Sequence, residues 1–511
     1  MQNANCKLMN YLQGPNIFRA CNPISTLQLA ICNLKCLGLA LISALLAAPA
    51  SADVVFYRLP TTRGDVVMLE GATTVNPGGT VTFSHPRFGK IHFDLVSTEI
   101  RKAPTVSAQF SRVLGRAGSD AEKRMEAAQW ALRHGLLAQF YSTIDKVLEA
   151  NPRHPRALLV RQLKAQMDAP LADPSRQEQE LRKLVPLESM KFKTSKHFLL
   201  MHDTPDTLTK GKLTRADERL QLLETVYECF LLRFYAYGVA LEVPKERLKV
   251  VLFNDYQQFR QFADKQSPAL ASASGFWDGE TNTSVFFDHG TNDEFKALKQ
   301  ISDELQFRKE EAVRTRAGNA ANLVRTADTL KMLVEIEREN CDIEVVSHET
   351  THQMAGNTGL LPRHVRIPTW VHEGLATYFE TPDGATWGGI GEVNASRLSL
   401  YRDLEWDKTH SNIGFIVGDQ IFDFARTTRG TLHGYGQSWA LTHFLLEKHF
   451  DKFMTFYRRL GELPPDTFLS SDVVNRLFDE SLGLDRNVLD SQWRLYMSNL
   501  KTDVELILEG Q

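Results

Sequence analysis

Cysteine all but vanishes from this chain after residue 36. Of six cysteines, Cys6, Cys21, Cys32 and Cys36 crowd the N-terminal segment, and only Cys229 and Cys341 follow. Two isolated thiols build neither a disulfide framework nor a cysteine-ligated zinc site; what remains is a single bridge or two small buried side chains. An excess of one charge is missing too. The 59 Lys and Arg stand against 62 Asp and Glu, so no basic field marks a nucleic-acid partner. The chain also lacks the roughly 20 consecutive apolar residues that span a bilayer. Its nearest approach, Leu37 to Leu46, follows Lys7, Arg19 and Lys35 with no acidic residue among them, and precedes Ala50-Ser51-Ala52. A basic lead, a short apolar stretch and an A-x-A site form the pattern of an export signal. Residues 1–52 are therefore expected to be a signal peptide rather than an anchor, with a periplasmic or extracellular destination and no stable membrane span after cleavage. Without them the chain keeps 56 basic and 62 acidic residues, a formal charge of −6.

What is present is more specific. His348-Glu349-Thr350-Thr351-His352 is an HExxH motif, and Glu373 follows in the run TWVHEGLATYFE. On a helix, positions four apart differ by about 40° in azimuth and about 6 Å in rise, so both imidazoles can address one ion. Two histidines and a glutamate complete the protein ligands of a catalytic zinc, which keeps a fourth position open for water. Glu349 lies beside the first histidine, where its carboxylate can reach that water. Ile343, Val345 and Val346 form an apolar lead-in suited to a buried helix, and Gly356, Asn357, Gly359 and Pro362 supply stop signals. Pro368 and Thr369 then start a second helix, with Thr369 as its expected N-cap. On that helix Glu373, Thr377 and Glu380 share a side, so Glu373 can reach the metal while Thr377 or Glu380 orients a ligand histidine.

HETTH followed by WVHEGLATYFE resembles the gluzincin metallopeptidases, specifically the peptidase MA-like bacterial proteins whose third ligand is the glutamate of a WxxEGxA helix. The resemblance implies that His348, His352 and Glu373 hold zinc and that Glu349 is the general base. The competing HExxHxxGxxH pattern fails, because this chain has Ala355 and Thr358 where glycine and histidine are required. His364 and His372 are read as non-ligands; His372 points about 100° away from Glu373 on the helix. Downstream, YGQSWALTHFLL from Tyr435 looks like the tyrosine-led helix of aminopeptidase-type gluzincins, whose phenol stabilises the oxyanion. An aromatic that merely opens a core helix is the bland alternative for Tyr435, and His433 is the alternative donor.

Length and punctuation divide the rest. Short β-rich runs around Asn76-Pro-Gly-Gly suggest a small antiparallel module over 53–104. Residues 105–187 turn helical, and Glu122 to Ala157 resembles one tetratricopeptide unit. A lone unit cannot bury its own faces, so it is expected to cap the remainder rather than form a docking array. Residues 188–511 are assigned to an α+β, zincin-like peptidase domain with strands near 196–202, 247–253 and 284–288 and a helix over 216–234. A helical insertion over 293–340 is expected to be a hairpin turning at Gly318-Asn319 and packed by Leu323, Ala327, Leu330 and Val334. A loop over 383–391 with Trp387 is placed at the cleft border, and Trp493 and Tyr496 are expected core anchors.

The function this implies is zinc-dependent hydrolysis of a peptide or protein substrate by a Glu349-activated water, with Tyr435 on the oxyanion. Endopeptidase is favoured over aminopeptidase, because Gly275-Phe-Trp-Asp-Gly-Glu lacks the GxMxN element of aminopeptidase-type relatives. The rivals are a zinc-retaining scaffold that binds a protein partner through the N-terminal modules, and a hydrolase of a non-peptide amide such as a cell-wall link.

Overall fold

The computed structural model describes residues 51–58, 66–85, 87–363, 365–383, 385–424, 428–465 and 467–509. The expected signal peptide thus lies outside the described residues up to position 50. Strands β1 (Ser51–Arg58), β2 (Val66–Asn76), β3 (Thr80–His85), β4 (Gly89–Asp94) and β5 (Thr98–Pro104) form one antiparallel sheet in the order β4-β3-β2-β1-β5. The sheet takes in the last two residues of the predicted leader, since Ser51 pairs with Pro104 and Ala52 with Ala103. Gly78 and Gly79 close the β2–β3 hairpin at φ of 96° and 78°, a region that glycine enters without strain. Alternate residues along β3 are buried. Their face, with Tyr57, Leu69, Ile91 and Phe93, packs on Met332, Leu333 and Ile336 far along the chain.

Five helices follow: α1 (Val106–Ala117), α2 (Ala121–Arg133), α3 (Leu137–Ala150), α4 (Pro155–Met167) and α5 (Ser175–Leu184). Thr105, Asp120 and His154 accept backbone N–H bonds at the starts of α1, α2 and α4. These helices do not have a core of their own. Phe110, Met125, Phe140 and Val160 belong to the same apolar cluster as Trp370, Trp439 and Trp493, and Gln129 Nε2 donates to the Ala236 carbonyl at 2.8 Å.

The second sheet contains β6 (Lys191–Thr194), β7 (Phe198–His202), β8 (Leu248–Phe253), β9 (Gly275–Asp278) and β10 (Thr283–Phe287), in the order β6-β7-β8-β10-β9. β7, β8 and β10 are parallel; the edges β6 and β9 are antiparallel. All five residues of β7 are buried, as expected of a parallel strand covered on both faces. The intervening helices are α6 (Arg215–Tyr235) after β7 and α7 (Tyr256–Gln266) after β8.

The hairpin exists, but it does not end where the sequence suggested. α8 (Asp293–Thr315) turns through Arg316, at φ 53°, into α9 (Ala320–Asn357), a single helix of 38 residues that runs unbroken past Asn340 into the HExxH motif. Of the expected stripe Ala327 is buried, whereas Leu323, Leu330 and Val334 are half-buried; Met332, Leu333 and Ile336 carry the packing onto the first sheet. A buried charge network holds the middle of α9 to α6: Arg215 contacts Glu339 at 2.6 Å, and Arg219 pairs with Asp342.

The chain then forms α10 (Thr369–Phe379), the two-residue strands β11 (Pro382–Asp383) and β12 (Thr386–Trp387), and helices α11 (Ala395–Leu404), α12 (Ile413–Val417), α13 (Gln420–Phe424), α14 (Thr428–Lys448), α15 (Phe450–Gly461), α16 (Ser471–Leu482), α17 (Arg486–Asn499) and α18 (Asp503–Leu508). The fold is α+β. Trp493 is fully buried and Tyr496 packs against the same cluster. No described helix is long and apolar enough to cross a membrane. Cys229 is a buried free thiol, so it does not bridge to Cys341.

Candidate metal centre

The C-terminal third of α9 is pinned to the second sheet by one buried amide. Gln353 Nε2 donates to the carbonyls of Lys249 and Asn282, each at 3.1 Å, and its Oε1 accepts from Ser284. The helix ends at Asn357, where the Thr358 N–H and hydroxyl both return to the Met354 carbonyl and Gly359 turns out at φ 72°. Gly356 is not part of that stop. It lies inside the helix, and a Cβ there would meet the Trp277 ring at 2.8 Å. α10 is started differently from expectation as well. Thr369 is its first helical residue rather than its cap. The N–H groups of Thr369 and Trp370 are instead accepted by the Asp419 carboxylate at 2.7 and 2.9 Å. Gly374 lets α10 lie directly on α14, since a Cβ would fall 2.2 Å from Thr442 Oγ1.

These two helices bring the three expected ligands together. His348 Nε2 is 3.0 Å from His352 Nε2 and 3.1 Å from Glu373 Oε2, and His352 Nε2 is 3.8 Å from the same oxygen. Donors about 2.0–2.1 Å from a tetrahedral zinc stand about 3.3 Å apart, so the triangle has the right size for one ion. His348 and Glu373 are buried and His352 nearly so. Glu373 Oε2 has no hydrogen-bond donor in good geometry, the condition of an oxygen whose partner is something other than a protein N–H. Among the described residues no other group of His, Cys, Asp or Glu meets this test. Burial opposes charge on Glu373, yet His348, His352 and His372 hold its carboxyl well below the usual range. Burial likewise opposes a charged His348, while Glu380, then Glu373, raise its pKa well above the ordinary imidazole value. Surroundings that favour a proton on Nε2 favour a cation in its place. Two imidazoles and a carboxylate, with no thiolate, fit zinc.

Of the two candidates expected to orient a histidine, Glu380 contacts His348 and Thr377 does not. Thr377 Oγ1 donates to the Glu373 and Gly374 carbonyls of its own helix. Glu380 Oε1 hydrogen-bonds His348 Nδ1, leaving Nε2 for the triangle. The other oxygen of Glu380 receives Arg397 Nε and Nη2 at 3.0 and 2.6 Å, and Arg397 also reaches Glu344 at 3.0 Å. Arg397 and Glu380 are only 3% and 2% exposed. Sequence reasoning missed Arg397; an arginine in the first turn of an ordinary helix carries no local signal of burial.

Glu349 projects to the cleft side of α9. Its Oε2 accepts the Trp277 N–H at 2.9 Å, so edge strand β9 fixes the carboxylate by a main-chain donor. A cavity of about 560 Å³ runs between β9 and the metal helices, and His348, Glu349, His352, Glu373, Trp277 and Tyr435 all line it. Tyr435, from α14, lies with its ring 6.4 Å from that of His348. Burial, then the Glu373 charge, push its phenol well above the ordinary tyrosine value, so it stays a neutral donor. His433 is turned away toward Asp403 at 3.4 Å. His372 lines the cleft, with Nδ1 3.3 Å from Glu373 Oε1, and stands outside the three-ligand group. His364 lies outside the described residues. The described residues of the 383–391 loop do not line the cleft: Trp387 Nε1 donates to the Phe379 carbonyl and the Ile390 N–H to that of Arg133, docking the loop on α2.

Residues 342–466, from the second half of α9 to just past α15, match a family described as a protein of unknown function (DUF1570). No curated protein and no solved structure matches the chain.

Proposed function

We propose that this chain is an exported, zinc-dependent peptidase with a zincin-like catalytic region, capped by a TPR-like hairpin of α2 and α3. The observation that carries the reading is the triangle of His348 Nε2, His352 Nε2 and Glu373 Oε2, all within 4.8 Å of one another, in the wall of the cleft that holds Glu349 and Tyr435. His348, His352 and Glu373 would hold a zinc ion, which when bound would supply Lewis acidity to lower the pKa of the attacking water and polarise a scissile carbonyl. The protein groups do the rest. Glu349, aimed by the Trp277 N–H, takes the proton of the attacking water and passes it to the leaving amine. Tyr435 donates its O–H to the oxygen on which negative charge develops, a contribution of about 2.7–4 kcal/mol by analogy with oxyanion-hole donors. β9 is an edge strand, and apart from the Trp277 N–H held by Glu349 its outer side offers main-chain groups to an extended peptide whatever its side chains. This favours cleavage within a chain, in keeping with the missing GxMxN element.

The test is a peptide-library digest with and without chelator, run beside E349Q. Chelator-sensitive cleavage that E349Q loses by at least about 100-fold while retaining its zinc supports the assignment. Zinc retained by a wild type that cuts no peptide favours the scaffold instead. Cleavage of a cell-wall amide alone favours the non-peptide hydrolase.

A further inference from the structure

The proposed chemistry uses only part of the cleft. Besides the metal triad, Glu349 and Tyr435, the same cavity of about 560 Å³ is walled by Leu184 at the end of α5, Phe262 of α7, Leu270 of the 3-10 turn Pro268–Ser272 and Phe276 of β9. Leu184, Phe262 and Leu270 are half-buried and rest on a buried cluster that contains Phe259, Phe276 and Val285. The rings of Phe262 and Phe276 lie 6.4 Å apart and nearly parallel. Core packing thus covers one side of these side chains and leaves apolar surface toward the cleft, where covering it is favourable. Trp277 fixes the wall beside the metal centre. Its main-chain N–H is held by Glu349, and its indole Nε1 donates at 3.2 Å to Asn282 Oδ1, which also accepts Asn357 Nδ2 at 2.8 Å. Ala355, three residues beyond His352, lines the same cavity and adds only a methyl group to it. Against about 30 Å³ per water, the volume admits a large side chain together with its main chain. Charge narrows the choice further. Among the described residues no lysine or arginine lines the cavity, so an acidic side chain finds no cation there. A lysine fares little better, because Asp278 already accepts the N–H groups of Glu280 and Thr281, Glu373 and Glu349 serve the metal centre, and Glu280 is exposed.

We infer that this wall receives a large apolar side chain of the substrate, aromatic or leucine-like, next to the scissile bond, and that Phe262 and Leu270 set the preference. The inference rests on the proposed peptidase reading and names its substrate class. It is tested by binding rather than turnover, in calorimetry on the zinc-loaded wild-type chain, with zinc measured in the same sample. Two series of hydroxamates carry a Phe, Leu, Ala, Lys or Glu side chain. Acetylated amino-acid hydroxamates place it before the zinc-binding group, and succinyl hydroxamates place it after. In at least one series Phe and Leu should bind at least about tenfold tighter than Ala, Lys and Glu. The series that shows the gradient tells on which side of the scissile bond the wall lies. L270E should weaken the Phe probe by at least about tenfold and leave the Ala probe within about twofold, with circular dichroism confirming the fold. L270W, which fills the space without a charge, gives the same reading if L270E does not fold. In protein that holds zinc, equal binding of the five side chains in both series, tighter binding of Lys or Glu than of Phe, or binding of no probe overturns the inference and leaves the metal reading standing. A Phe preference that survives in the folded Leu270 variants overturns it too. Protein that takes up no zinc removes the reading and the inference together.

Discussion

Replacing Glu380 with alanine separates two roles that the structure assigns to one side chain. Its Oε1 fixes His348 Nδ1 and its Oε2 neutralises Arg397, in a region where both residues are at most 3% exposed. Loss of a carboxylate that orients a ligand histidine lowers metal affinity by about 10–100-fold, or about 1.4–2.7 kcal/mol. Loss of the ion pair is a separate cost. Breaking a buried pair from one side destabilises by about 3–5 kcal/mol, and here Glu344 at 3.0 Å offsets part of it. The double variant E380A/R397M removes the stranded charge. It should recover most of the stability while zinc affinity stays low. Affinity is read by competition with a chromophoric chelator. Stability is read by circular dichroism on metal-free protein, because bound zinc itself raises the apparent Tm. Zinc affinity in E380A within twofold of wild type would refute the orienting role. So would affinity that returns with stability in the double variant, since the effect would then be a packing loss.

Three further outcomes are expected. G356A should lose about 1–3 kcal/mol in urea unfolding and lower turnover, because its Cβ meets the Trp277 ring at 2.8 Å and displaces the strand that holds Glu349; unchanged turnover would show that β9 does not need this seat. Y435F should lower kcat by about 10²–10³-fold with zinc content unaltered, and wild-type rates would return Tyr435 to a packing role. His85 accepts the N–H groups of Arg87 and Phe88 on Nδ1, and burial followed by the Arg87 charge pushes its pKa down to about 4. The unfolded chain then binds a proton that the folded chain refuses, so the His85 contribution to stability is constant above about pH 6.5 and falls by about 3 kcal/mol as pH drops toward 4. The urea midpoint of H85Q should fall less than that of wild type between pH 7.5 and 4.5; parallel curves would contradict it.

The elements legible in the sequence are those whose signal is local. The two imidazoles four residues apart, the Gly359 exit from the metal helix, the Gly78-Gly79 hairpin and the buried run of β7 each follow from nearest neighbours along the chain. What escaped was set at a distance. Edge strand β9 has four residues and no alternation to betray it, yet its Trp277 N–H fixes Glu349, 72 positions away. The cap of α10 comes from Asp419, 50 positions on, and so outranks the local candidate Thr369. Gly356 reads as a helix stop because glycine usually is one; only the approach of Trp277 reveals that it marks a contact. The unbroken run of α9 was hidden by its charges. Glu339 and Asp342 look like a solvated stretch until Arg215 and Arg219 of α6 are placed against them.

The most direct measurement is the zinc content and X-ray absorption spectrum of purified wild-type protein beside H352A/E373A. The proposed metal centre predicts one zinc per chain with two imidazole nitrogens and oxygen ligands at about 2.0–2.1 Å, no sulfur, and no bound zinc in the double variant. Wild-type protein that takes up no metal, or a double variant that binds it with the same stoichiometry and spectrum, would contradict the convergence of His348, His352 and Glu373 on a single ion.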